Sequence, residues 1–157
     1  ISKDRYELQI LNIIKGRWNA QEIMEQIAKQ QKLFGSEVWV ESNGAQDFIV
    51  QLMSMSSVYC PVKSFYTGKN KYDPMFGVES IAAEMSVGLW SFPCPDGTRD
   101  SCDQILLELI EEMLAYTPGN HTGDILMSLW IAREAARSSR KAAVGAVQFG
   151  RLNFRKR

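Results

Sequence analysis

A chain of 157 residues with 45% apolar and 23% charged side chains has the size and make-up of one globular domain, which excludes disordered, collagen-like and membrane-spanning classes. No run approaches the roughly 18 apolar residues of a membrane span, and Ile1-Ser2-Lys3-Asp4-Arg5 is not a secretory leader, so a location inside a cell is expected. The zero net charge is unevenly spread: residues 1–132 carry 10 basic and 17 acidic side chains, whereas residues 133–157 carry 8 and 1.

Residues 6–14 alternate apolar and polar at first and are rich in β-branched side chains, which predicts a strand ended by Gly16. Asn19 and Glu22 form a capping box ahead of Ile23, Met24 and Ile27, a helix expected to stop near Gly35. Val38-Trp39-Val40 reads as an interior strand that ends at Glu41. Asn43-Gly44 marks a turn, and Phe48, Ile49 and Leu52 support a helix reaching about Met55. A third strand is expected over Val58–Tyr66, then a loop over Thr67–Pro74, a helix through Val78, Ile81, Ala82 and Met85, and a brief strand at Leu89–Phe92.

Two amphipathic helices follow. One places Ile105, Leu106, Leu109, Ile110, Met113 and Leu114 on one stripe and Glu108, Glu111 and Glu112 on a solvated face. The other carries Ile125, Leu126, Leu129 and Trp130 and is expected to run to about Arg140. Strands alternating with helices indicate an α/β fold with a largely parallel sheet, over a domain of residues 1–140 and a basic arm of residues 141–157. Cys60, Cys94 and Cys102 include no C-x-x-C pair and are expected to be reduced thiols.

Glu41 stands at the carboxyl end of a strand, where α/β sheets gather functional groups. It serves there either as a metal ligand or as a polar strand end. Asp124, in the first turn of an apolar-striped helix, either complements the helix dipole or converges with Glu41 on a divalent ion. Oxygen ligands without Cys/His pairs suit Mg²⁺ or Mn²⁺. His121, the sole histidine, is three residues from Asp124 and either hydrogen-bonds locally or lines the same site. Gly68-Lys69 is not a phosphate-binding loop, since residue 63 is Lys and residue 70 is Asn, and no G-x-G-x-x-G fingerprint occurs. The basic end, including Arg133, Arg137, Arg140 and Lys141, either faces nucleic-acid phosphates or is a solubilising tail.

Several segments in order carry a family resemblance: Val38-Trp39-Val40-Glu41-Ser42-Asn43-Gly44-Ala45-Gln46, Thr67-Gly68-Lys69-Asn70-Lys71, Gly77-Val78-Glu79-Ser80, Gly88-Leu89-Trp90-Ser91-Phe92-Pro93, and His121-Thr122-Gly123-Asp124-Ile125-Leu126-Met127-Ser128-Leu129-Trp130-Ile131-Ala132. Across about residues 6–137 the chain resembles the C-terminal nuclease domain of tailed-bacteriophage terminase large subunits. The resemblance implies a ribonuclease H-like fold, a central mixed sheet flanked by helices, that cuts concatemeric viral double-stranded DNA with two Mg²⁺ or Mn²⁺ ions. Glu41 then matches the second metal-binding carboxylate and Asp124 the helix-borne third, with His121 in support. Lys69, Lys71, Arg137, Arg140 and Lys141 are the expected DNA contacts. The implied partners are the terminase small subunit and the portal protein, in the cytoplasm of the host cell.

The chain departs from that pattern at its start. Family members open with a strand bearing the first catalytic aspartate, whereas this sequence enters at the third strand, with Asp4 ahead of it, and has no packaging ATPase domain. It reads as a C-terminal portion of a longer protein. Two functions follow as expectations: a metal-dependent endonuclease, its missing acid supplied from elsewhere or by Asp4 or Asp73, or a catalytically silent module that binds DNA or the motor. A third is an unrelated α/β module with structural acids. A sheet without its first strands is expected to expose an apolar edge and to self-associate.

Overall fold

The structure is a computed structural model that describes residues 7–42, 49–53, 60–73 and 77–152, without the side chains of residues 70 and 140–152. The chain is mixed α/β. Strand β1 (Leu8–Gln9) is followed by helix α1 (Ala20–Phe34), strands β2 (Val38–Glu41) and β3 (Val62–Phe65), helix α2 (Ser80–Ser86), strand β4 (Trp90–Ser91), and helices α3 (Gln104–Ala115) and α4 (Asp124–Leu152). Residues 49–53 are helical. The turn at Asn43-Gly44 and the starts of the expected 48–55 helix and 58–66 strand lie outside the described residues.

Among the described residues the expected central sheet is instead two separate parallel pairs, β1 with β4 and β2 with β3. The first predicted strand contributes only Leu8 and Gln9, because the alternation of its side chains survives no further than Ile10. From there Ile10 is buried, Ile13 half-buried, and Leu11 and Ile14 exposed, a sequence of environments that no single sheet face produces. Strand β2 is half-buried along its length, where the sequence predicted burial on both faces.

Local chemistry sets the helix ends. The Glu22 N–H donates to Asn19 Oδ1 at 3.0 Å and the Asn19 N–H donates to Glu22 Oε2 at 2.7 Å, which completes the capping box of α1. Gly35 closes that helix in the left-handed region at φ 59°. Asp103 caps α3 by accepting from the Leu106 N–H at 2.8 Å. The expected loop after β3 winds into a 3-10 turn over Gly68–Tyr72. Helix α4 passes position 140 without a break, twelve residues beyond its expected end at Arg140, to Leu152.

The main core joins Val78 and Ile81 to Leu106 and Leu109 of α3 and to Ile125, Leu126, Leu129, Trp130 and Ile131 of α4. Leu114, placed on the apolar stripe by the sequence, is 77% exposed. A second cluster packs Ile23, Met24 and Ile27 of α1 on Ile49, Met53 and Cys60. Cys94 and Cys102 are joined in a disulfide, which corrects the expectation of three reduced thiols. A turn at Cys94–Gly97 and a 3-10 turn at Arg99–Ser101 fold the chain back, so that residues eight apart lie 4.5 Å from Cα to Cα.

Candidate functional site

Glu41 is the last residue of β2 and stands in register with Phe65 of β3. Two residues past β3, the Thr67 hydroxyl donates to Glu41 Oε1 at 2.7 Å. Thr67 is 1% exposed, so a buried hydroxyl orients a half-buried carboxylate.

Asp124 opens α4. Gly123 enters that helix at φ 88°, and a Cβ there would lie 2.5 Å from the Glu112 carboxyl group. That carboxyl group reaches over from α3 and accepts the Leu126 N–H at 2.8 Å, capping α4 from a neighbouring helix. Of the three glutamates expected on a solvated face, Glu111 is exposed as expected, 4.0 Å from Arg99, and Glu108 makes a surface pair with Lys15 at 2.9 Å, whereas Glu112 departs from that reading as a cap. The Glu108 hydrogen bond, reinforced by the negative charges of Glu112 and Asp124, holds the Lys15 ammonium above the usual lysine range. His121 is exposed, and its Nδ1 accepts the Gly123 N–H at 3.1 Å, which shapes the turn into α4.

Glu41 and Asp124 line one cleft of about 970 Å³ between β2 and α4, together with Trp39, Met127, Ile131 and Ser139. His121 lies outside that lining. Glu37, which the sequence reading passed over, also lines it. Lys63 at 2.8 Å, then the Trp39 indole N–H and the Ser139 hydroxyl, hold the Glu37 carboxyl below the usual glutamate range. Among the described residues no group of three His, Cys, Asp or Glu side chains is placed to hold a metal ion. Asp4 lies outside the described residues, and Asp73 is not part of the cleft lining.

The basic residues divide. Lys69 and Lys71 lie on the 3-10 turn directly after Thr67, with Lys71 Nζ 5.0 Å from the centre of the Tyr72 ring. Arg133 is buried, a correction to its reading as part of a phosphate-facing cluster: it donates to the Ser80 hydroxyl at 2.6 Å and pairs with Glu134 at 2.9 Å. Arg137 pairs with Glu84 and Glu134, and its side chain is 32% exposed. Arg140 and Lys141 continue α4, their side chains outside the described residues.

Thr67, Lys15 and Glu112 were missed because their roles depend on contacts between elements. Only Glu112 left a signal, an acid facing a helix start that has no capping side chain at Gly123. No protein-family model matches the chain, and no curated protein or solved structure matches it.

Proposed function

We propose that the chain is the nuclease-type portion of a terminase large subunit, a divalent-metal-dependent endonuclease domain of ribonuclease H-like topology that acts on double-stranded viral DNA. One observation carries the reading: an acid at the carboxyl end of a parallel strand and an acid at the start of a later helix line the same cleft. Glu41 and Asp124 are the cleft residues that would hold such an ion, and their all-oxygen donor set suits Mg²⁺ or Mn²⁺. Such ions, when bound, polarise phosphate and lower the pKa of water.

The chain's own residues supply orientation. The Thr67 hydroxyl fixes Glu41, while Gly123 and the Glu112 cap fix the start of α4 and with it the backbone of Asp124. The family's setting comes with the proposal: a small terminase subunit, a portal protein, and the cytoplasm of an infected bacterium. Among the described residues no helix is long and apolar enough to cross a membrane.

A second reading, a catalytically silent DNA- or motor-binding module, draws on the basic end of the chain, where residues 133–157 carry 8 basic and 1 acidic side chains. Plasmid nicking with Mn²⁺, Mg²⁺ or EDTA separates the two. The expected result is metal-dependent nicking that falls by at least about 100-fold in Glu41→Gln and in Asp124→Asn. Variants that nick at the parental rate would remove the site assignment. A folded, DNA-binding protein that never nicks would establish the second reading.

A further inference from the structure

We propose that a second copy of this chain seats the far half of its α4 in the cleft between β2 and α4, so that two copies clasp each other as an antiparallel helix pair. The inference goes beyond the nuclease reading and does not depend on it.

The lining defines what the cleft accepts. It carries Glu37, Glu41 and Asp124 and no Lys, Arg or His, and its Leu11, Ile14 and Phe34 are exposed. An occupant that is apolar along its length and cationic at one end covers those side chains and faces those acids. A helix about 10 Å across takes up roughly 400 Å³ per turn, so a cleft of about 970 Å³ has room for about two turns.

The chain supplies such an occupant. Burial falls along α4, from Arg133, which is buried, through residues 134–137, half-buried, to Ser138 and Ser139, exposed, and the helix then continues to Leu152. Residues 142–150 hold no charge, and residues 151–157 hold four basic side chains and no acid. A helical end of that length is marginal alone in water. Its own copy cannot use it to fill the cleft, because one unbroken helix carries it away from there.

The spacing sets the register. On the cleft floor Ser128, Ala132, Ala135 and Ser139 follow at intervals of four, three and four, and Ala142, Ala146 and Phe149 continue the same heptad along α4. Turned end for end about Ser139, the seam matches itself: Ala135 falls opposite the partner's Ala142, Ala132 opposite the partner's Ala146, and Ser128 opposite the partner's Phe149. Small residues at these positions let two helices approach closely, and the one large residue falls opposite a serine. Charge agrees with this order, since the acidic start of each α4 lies beside the basic end of the other and the two helix dipoles oppose. Such an isologous contact closes at two copies.

The test is size-exclusion chromatography with light scattering on the full chain across a dilution series. The expected result is a dimer that dissociates on dilution, its Kd raised at least about 10-fold in Ala132→Arg, which buries an unpaired charge in the seam. Ala132 is exposed in the single copy, so this variant is expected to keep the parental circular-dichroism spectrum. Arg151→Glu is expected to raise the Kd at least about 3-fold, and added salt to raise that of the parent. Under a mild oxidant Ser139→Cys should link two copies, whereas Ser138→Cys, one residue round the helix, should not. A monomer at every dilution, or a dimer that Ala132→Arg leaves unchanged, would overturn the clasp. So would equal linking at 138 and 139, or a monomer whose basic end takes up only duplex DNA.

Discussion

Single side chains here act mainly through hydrogen bonds that fix another group. Asp96 is the clearest case for titration: the Ser101 hydroxyl, then the Thr98 hydroxyl and N–H, hold its carboxyl at about 2. A carboxyl depressed in the folded state stabilises the fold above its ordinary pKa of 3.8, and that contribution is lost as pH falls from there through about 2. Carboxyl NMR titration of the parent should place Asp96 near 2, and Thr98→Val combined with Ser101→Ala should return it toward 3.8. An unmoved titration would separate Asp96 from these partners.

At the scale of elements, the ion network around Arg133 joins α2 to α4. Its guanidinium, fully enclosed, donates to Ser80 at the start of α2 and pairs with Glu134, and lies 3.7 Å from Glu84, which also accepts the Trp90 indole N–H of β4 at 3.0 Å. Removing the enclosed cation leaves Glu84 and Glu134 to Arg137 alone and takes its donor from the Ser80 hydroxyl and the Gly77 carbonyl, so Arg133→Met should cost about 3 kcal/mol in denaturant unfolding. Arg137→Met, whose partners keep Arg133, should cost clearly less. Equal losses would show that packing of the arginine stem, and not its charge, is what matters. From sequence, Arg133 and Arg137 were indistinguishable members of a basic run. Their environments differ because α4 is packed at 133, while at 137 it has begun to meet solvent. Elements with local causes were legible: the Asn19 capping box, the Gly35 stop and the apolar stripe of α4 all depend on residues within a few positions of each other. The extent of β1 was not, since a two-residue strand exists only by its pairing with Trp90 and Ser91 far along the chain.

For the molecule as a whole, the same distinction covers the candidate site. Glu41 and Asp124 could be picked out by their positions on elements, but the cleft they share, and Glu37 within it, arise only when β2 meets α4. The disulfide likewise depends on how residues 94–102 turn back on themselves. Without reductant, denatured protein should therefore titrate as one thiol, Cys60, and with reductant as three. In the native state Cys60 should react slowly, because burial pushes its thiol above the usual cysteine range. Loss of the cross-link should lower stability by about 2 kcal/mol. Three reactive thiols in unreduced, denatured protein would dismiss the cross-link.

The uninterrupted run of α4 sets a length. Its 29 residues span about 42 Å at 1.5 Å per residue, with Asp124 at one end and Arg151 near the other. Asp124 and Arg151 are thereby carried on one continuous element, about 40 Å apart along its axis.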